Sequence, residues 1–133
     1  MRITADTNVL VRTAVQDDPE QSQLAATTLR RAEAIAVTLV ALCEFAWVLS
    51  RGYKRSATQI AQAIRRLIEA PTVTVDRPAV EAGLAVLEAG GDFADGVIAF
   101  DGRRMGGDVF VSFDRPAVAL VRGTGQESRV LSP

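Results

Sequence analysis

Short apolar runs alternate along this chain with longer stretches in which apolar positions recur every three or four residues. The first kind fits strands and the second fits helices. Residues 2–5 are β-prone and stop at Asp6, after which Val9, Leu10, Val11 and Ala14 mark a short helix ended by Gln16-Asp17-Asp18-Pro19. Asp18 before Pro19 and Glu20 predicts an N-cap with proline at the first helical position. Leu24, Ala25, Thr28, Leu29 and Ala32 carry that helix to about residue 32. A buried strand is expected over 34–38, then a helix over about 39–52 that is apolar almost all round and so predicted to be buried. Ser56 or Thr58 caps an amphipathic helix with Ile60, Ala63, Ile64, Leu67 and Ile68, which Pro71 ends.

The second half repeats the alternation. A strand over 72–75 precedes a helix with Val80, Leu84 and Leu87, broken by Gly90-Gly91. A helix over 92–104 closes at Met105-Gly106-Gly107, and a strand follows over 109–112. Asp114 opens a short helix to about residue 121, and 128–131 reads as an edge strand. Strands alternating with helices predict an α/β fold, a mostly parallel sheet with helices on both faces in three α/β/α layers. No linker or low-complexity segment interrupts it, so residues 1–133 read as a single domain.

Composition narrows the chemistry more than the fold. A chain of 133 residues, 48% hydrophobic and 23% charged, has enough material for one core. Met1-Arg2-Ile3 leads straight into strand and acid without a signal-like apolar segment. The most apolar stretch, 35–49, is too short to span a membrane and carries Glu44. Cys43 is the only cysteine, so no disulfide framework exists, and a cytoplasmic protein without a membrane partner is expected. The chain has no histidine, which excludes Ser-His-Asp and Cys-His catalysis, histidine-held zinc and histidine as general base. Hydrolysis would have to use carboxylates, hydroxyls, arginine or Lys54, or a hard cation held by oxygens. Setting four acids aside as one site turns the net charge of −1 into +3 for the remainder, which allows a basic surface around an acidic pocket.

Most of the candidate acids have an ordinary explanation. Asp6 ends the first strand, where α/β sheets place ligands, but aspartate there is also a good helix cap. The same holds for Asp76, for Asp114 and for Asp92 and Asp95 at the start of their helix. Asp76-Arg77-Pro78-Ala79-Val80 recurs as Asp114-Arg115-Pro116-Ala117-Val118, so local sequence alone does not choose between the two aspartates. Glu44 differs because it lies mid-helix, with Val40, Ala41, Trp47 and Val48 on its face. Arg51, the nearest base on that face, is about 10 Å further along the axis. A buried carboxylate there needs a partner from elsewhere, such as Arg12 or Arg104, or a cation shared with other acids. Asp6, Glu44, Asp95 and Asp114 would converge if the first and fourth strands were neighbours. Mg²⁺ or Mn²⁺ suits such a set, and a metal so held activates water against a phosphodiester. Thr7, Asn8 and Ser112 stand ready to position water or metal.

Four motifs carry a resemblance. Ala5-Asp6-Thr7-Asn8-Val9-Leu10, Cys43-Glu44-Phe45, Asp92-Phe93-Ala94-Asp95-Gly96-Val97-Ile98-Ala99 and Ser112-Phe113-Asp114-Arg115 resemble, in order and spacing, the acidic motifs of PIN-domain ribonucleases. The likeness spans residues 2 to about 131 and is strongest to the VapC toxins of toxin–antitoxin pairs. It implies a sheet of order 3-2-1-4-5, Mg²⁺- or Mn²⁺-dependent cleavage of RNA, a homodimer and inhibition by a VapB-type antitoxin. By the family pattern Asp6, Glu44, Asp95 and Asp114 match the metal-site positions, with Asp92 as the less constant acid. The implied order also places Asp114 beside Asp6 and leaves Asp76 as a cap on an outer strand. Ser112 stands where threonine is common and Gly96 where alanine is common, the latter expected to loosen its helix start.

Arg12, Arg51, Lys54, Arg55, Arg103, Arg104 and Arg115 lie near these motifs and are expected to hold the RNA backbone, although each alone reads as solvated surface charge. With five Phe, one Trp and one Tyr, mostly in apolar patterns, base stacking is expected to matter less than RNA shape. Other classes fit less well. A receiver-like phosphoacceptor domain needs a lysine after a late strand, and the only lysine is Lys54. A haloacid-dehalogenase-type phosphatase needs aspartate where Asn8 stands. Gly123-Thr124-Gly125 lacks the third glycine of a dinucleotide fingerprint. Within the resemblance, a housekeeping nuclease is the alternative to a toxin.

Overall fold

The computed structural model describes all of the chain, Met1–Pro133, as two compact units, Met1–Asp76 and Arg77–Pro133. The first unit runs β1 (Arg2–Thr4), α1 (Thr7–Ala14), α2 (Pro19–Arg31), β2 (Ala34–Ala36), α3 (Leu39–Arg51), α4 (Ala57–Glu69) and β3 (Val73–Thr74). Its strands pair in parallel in the order 1-2-3, with Ile3 opposite Ile35 and Ile35 opposite Val73. Helix starts follow the side-chain chemistry. Asp18 accepts from the Gln21 N–H at 3.1 Å, with Pro19 opening α2. Ser56, rather than Thr58, caps α4 in a reciprocal box with Gln59, the two bonds being 3.1 and 2.9 Å. Such a cap is worth about 1 kcal/mol. Leu10, Leu42, Phe45, Leu49 and Ile64 form the buried interior where α1, α3 and α4 meet.

A polar tie holds the ends of three of these helices. The Arg12 guanidinium donates to Asp17 at 2.6 Å, to Gln21 at 2.8 Å and to the Tyr53 hydroxyl at 3.3 Å. Tyr53 in turn donates to the second oxygen of Asp17 at 2.9 Å. The Tyr53 hydrogen bond, with the Arg12 charge behind it, holds the Asp17 carboxyl below its ordinary value. Lys54, next along, sits in the left-handed region at φ 55°. For a residue with a Cβ this conformation costs on the order of 1 kcal/mol.

The second unit runs α5 (Arg77–Glu88), α6 (Phe93–Arg104), β4 (Phe110–Ser112), α7 (Arg115–Gly123) and β5 (Ser128–Val130). β4 and β5 pair in parallel, Val111 opposite Arg129. Val86, Ala99 and Val121 form its buried centre, with Phe110 and Leu120 against them. α5 and α6 lie unusually close, and two glycines explain why. A Cβ on Gly83 would come within 2.6 Å of the buried Phe93 ring, and one on Gly96 within 2.3 Å of the Ala82 carbonyl oxygen. Gly96 is therefore a close-packing residue, which corrects the expectation that it loosens the start of α6.

The fold is α/β with parallel pairing throughout. The expected order 3-2-1-4-5 appears as two pieces, 3-2-1 and 4-5, in two small sheets instead of one of five strands. Strands of two or three residues offer few ladder bonds, so helix packing within each unit carries most of the structure. No helix is long and apolar enough to cross a membrane.

Candidate functional site

Each unit carries part of the acid set. In the first, Asp6 follows β1 and its Oδ1 accepts from the Thr7 N–H at 2.8 Å, fixing the turn into α1. Thr7 is buried beneath this turn, whereas Asp6 and Asn8 face solvent. Glu44 lies in the middle of α3, as expected, but not in the expected environment. It is exposed, as are its face neighbours Val40 (69%) and Trp47 (64%). The apolar sequence of α3 packs on one side only, through Ala41, Leu42, Phe45, Ala46 and Leu49. Burial therefore does not force Glu44 to find a partner. What remains is an exposed carboxylate without a hydrogen bond or ion pair of its own, on an apolar helix face.

In the second unit, Asp114 follows β4 and caps α7, its Oδ1 accepting from the Ala117 N–H at 3.1 Å. The Ser112 hydroxyl accepts from the Asp114 N–H at 3.0 Å, so Ser112 braces the turn that presents this acid. Asp92 occupies the N-cap position of α6, yet its side chain makes no capping bond. Asp95 stands in the first turn of the same helix and is half-buried. Burial pushes its carboxyl above the ordinary value, and the negative fields of Asp92 and Asp114 push it further. Asp92 and Asp114 are thus close enough to oppose the ionisation of Asp95. No three acidic side chains gather tightly enough to hold an ion by themselves. A carboxylate whose charge is disfavoured by two neighbouring carboxylates still matches in chemistry what a hard divalent cation relieves. Asp76, the twin of Asp114 in the repeated motif, ends the first unit beyond β3, the outer strand of its sheet.

The repulsion at Asp95 has a stability consequence. A carboxyl raised in the native state makes folding less favourable as pH rises through that raised value, because its charge is tolerated better when unfolded. In excess chelator, Asp95→Asn is expected to melt above the parent protein at neutral pH. Below the ordinary carboxylate range the two should coincide. Thermal melts at both pH values check this, and a variant that melts lower at neutral pH contradicts it.

The basic candidates divide. Arg12 is committed to Asp17, Gln21 and Tyr53, and Arg104 to an ion pair with Asp101 and a stack 4.8 Å over the Phe100 ring. Arg51, Lys54, Arg55, Arg103 and Arg115 remain exposed. Arg55 also lines, with Arg30 and Arg66, a cavity of about 680 Å³ in the first unit whose floor is Leu10, Ile35, Phe45 and Leu49. The aromatics lie mostly in apolar patterns of the sequence, yet two of them face solvent. Besides Trp47, Phe113 is exposed (73%), while Phe45 and Phe93 are buried and the others partly so.

The family model of the PIN domain matches residues 3–119. The chain belongs to the PIN domain family. The match includes Asp6, Glu44, Asp92, Asp95 and Asp114, so the acids read from sequence fall inside it. PIN domains are generally nucleases that depend on divalent metal ions and act on RNA or other nucleic acid. No curated protein matches the chain.

Proposed function

We propose that this PIN domain is a divalent-metal-dependent endoribonuclease in which Asp6, Glu44, Asp95 and Asp114 act as one set on the scissile phosphate. The observation that carries this reading is the PIN-family match together with the half-burial of Asp95 near Asp92 and Asp114. An acid half-buried among like charges, in a family of metal-dependent nucleases, is a ligand position more than a helix cap. When bound, Mg²⁺ or Mn²⁺ supplies a Lewis acid that lowers the pKa of water and offsets charge on the phosphate. Asp6 and Asp114 present carboxylates from turns fixed by the Thr7 and Ala117 N–H groups, each holding one oxygen and leaving the other free. Ser112 keeps the Asp114 turn in place, and Asn8, exposed beside Asp6, is available to orient water or substrate. Arg51, Lys54, Arg55 and Arg115 are the cations for the RNA backbone; Arg12 and Arg104 act by holding local structure instead.

Within this activity we take the protein as the toxin of a VapBC-type pair, acting as a homodimer and inhibited by a VapB-type antitoxin, with a housekeeping ribonuclease as the alternative. Support comes from the motif spacing and from the cavity of the first unit. Its apolar floor and its arginines Arg30, Arg55 and Arg66, none of them ion-paired, suit an acidic amphipathic segment of a partner protein. The test of the activity is cleavage of RNA by the purified protein. Cleavage should stop in excess chelator and return when Mg²⁺ or Mn²⁺ is restored above it; unabated cleavage in chelator would remove the mechanism.

A further inference from the structure

The two exposed aromatic side chains of this protein each stand beside an acid of the set. On α3, Glu44, Trp47 and Arg51 share one helix face at spacings of three and four residues. After β4, Phe113, Asp114 and Arg115 follow in direct succession, and all three are exposed. Each aromatic is thus bracketed by a carboxylate and an arginine, and neither Arg51 nor Arg115 makes an ion pair. Folding gains nothing from leaving a Trp and a Phe in water, since burying a large side chain is worth about 2 kcal/mol or more. A nucleic acid strand presents the complementary chemistry, namely flat apolar faces on a chain of negative charges. A protein partner fits less well, because interface centres are depleted of the charges that punctuate both stretches.

We propose that Trp47 and Phe113 are stacking platforms for the nucleobases of single-stranded RNA, set beside the acids that act on its backbone. The inference rests on the ribonuclease reading and deepens it by naming the side chains that take the bases. Bases stack on aromatic side chains only where they are not already stacked in a duplex, so the platforms select unpaired RNA. Arg51 and Arg115 take the adjoining phosphates. Base identity matters little to a stacking contact, so discrimination falls on strandedness more than on sequence.

Trp47 is the only tryptophan, which makes it its own reporter. The experiment titrates a single-stranded oligoribonucleotide into the protein in excess chelator, so that nothing is cut, and follows Trp47 fluorescence and RNA anisotropy. Saturable quenching is expected with the single strand and not with the same strand in a duplex. An oligonucleotide of equal length made largely of abasic positions should bind at least about tenfold more weakly. Trp47→Ala and Phe113→Ala should each weaken binding by about tenfold, while Trp47→Phe retains most of it. Both sites are exposed, so the melting temperatures of these variants should stay near that of the parent. Unchanged binding in both alanine variants, or equal affinity for abasic RNA, overturns the proposal. So does a Trp47 emission that shifts with protein concentration and ignores RNA, which would assign the face to a second copy of the chain. Chelator-sensitive cleavage together with base-independent binding removes the platforms and keeps the ribonuclease; absence of both binding and cleavage removes both.

Discussion

Asp114→Asn is expected to leave RNA uncut, while Asp76→Asn cuts it at the rate of the parent protein. The two residues open identical five-residue motifs, so the contrast isolates position from local sequence. Asparagine keeps the shape of aspartate and an oxygen that can accept from the Ala117 N–H, so α7 keeps its cap and the fold its stability. What disappears is the charge. Losing one charged group that acts on the transition state costs at least about a hundredfold in rate. Asp6→Asn should behave as Asp114→Asn does, since its capping bond also survives the change. Asp76 follows the outer strand β3, so Asn there should act on stability and leave cleavage alone. Initial cleavage rates on one RNA, with circular dichroism to verify folding, decide the matter. An active Asp114→Asn, or an Asp76→Asn that is folded and dead, would require a different set of acids.

Gly96→Ala should be the most damaging small substitution in the second unit, and Gly102→Ala in the same helix should stabilise. In an open helix, alanine is favoured over glycine by about 1 kcal/mol. Nothing lies within 4 Å of a Cβ at Gly102, so that gain should appear in full. At Gly96 the new Cβ meets the Ala82 carbonyl oxygen at 2.3 Å and the Gly83 Cα at 2.8 Å, both main-chain atoms of α5. Backbone cannot rotate aside as a side-chain tip can, so α6 must move off α5. Overpacking of this kind costs about 1–3 kcal/mol and outweighs the propensity gain. Gly96→Ala should melt several degrees lower, and Gly102→Ala a few degrees higher, than the parent. Because Gly96 directly follows Asp95, the same shift should also lower cleavage. Equal melting temperatures for the two variants would mean that α5 and α6 are not in close contact.

Much of the fold was legible because the signals were local. Asp18 with Pro19, and Ser56 with Gln59, announce helix starts through bonds that span three residues, and the structure contains them. Asp6, Asp92, Asp95 and Asp114 stand out for a similar reason, since each lies beside a strand end or helix start, whereas Glu44 stands out because no cap explains an acid in the middle of α3. What the sequence hid is which surface packs against which. The run around Glu44 is apolar on every side, and sequence does not say that Val40 and Trp47 face water. Arg12 reads as a free cation until Tyr53, forty-one residues away, closes on it. Gly96 reads as a weak helix former because its reason lies on another helix. The short strands likewise left room for one sheet in the expectation and two in the structure.

The left-handed turn after α3 has a practical outcome. Lys54 is the chain's only lysine, and the turn holds it out in solvent. Amine-directed reagents that spare the N-terminus therefore find one address on the molecule, three residues past the helix that carries Glu44. A dye or cross-linker attached there marks a single known point, ready-made for distance measurements without any engineered cysteine.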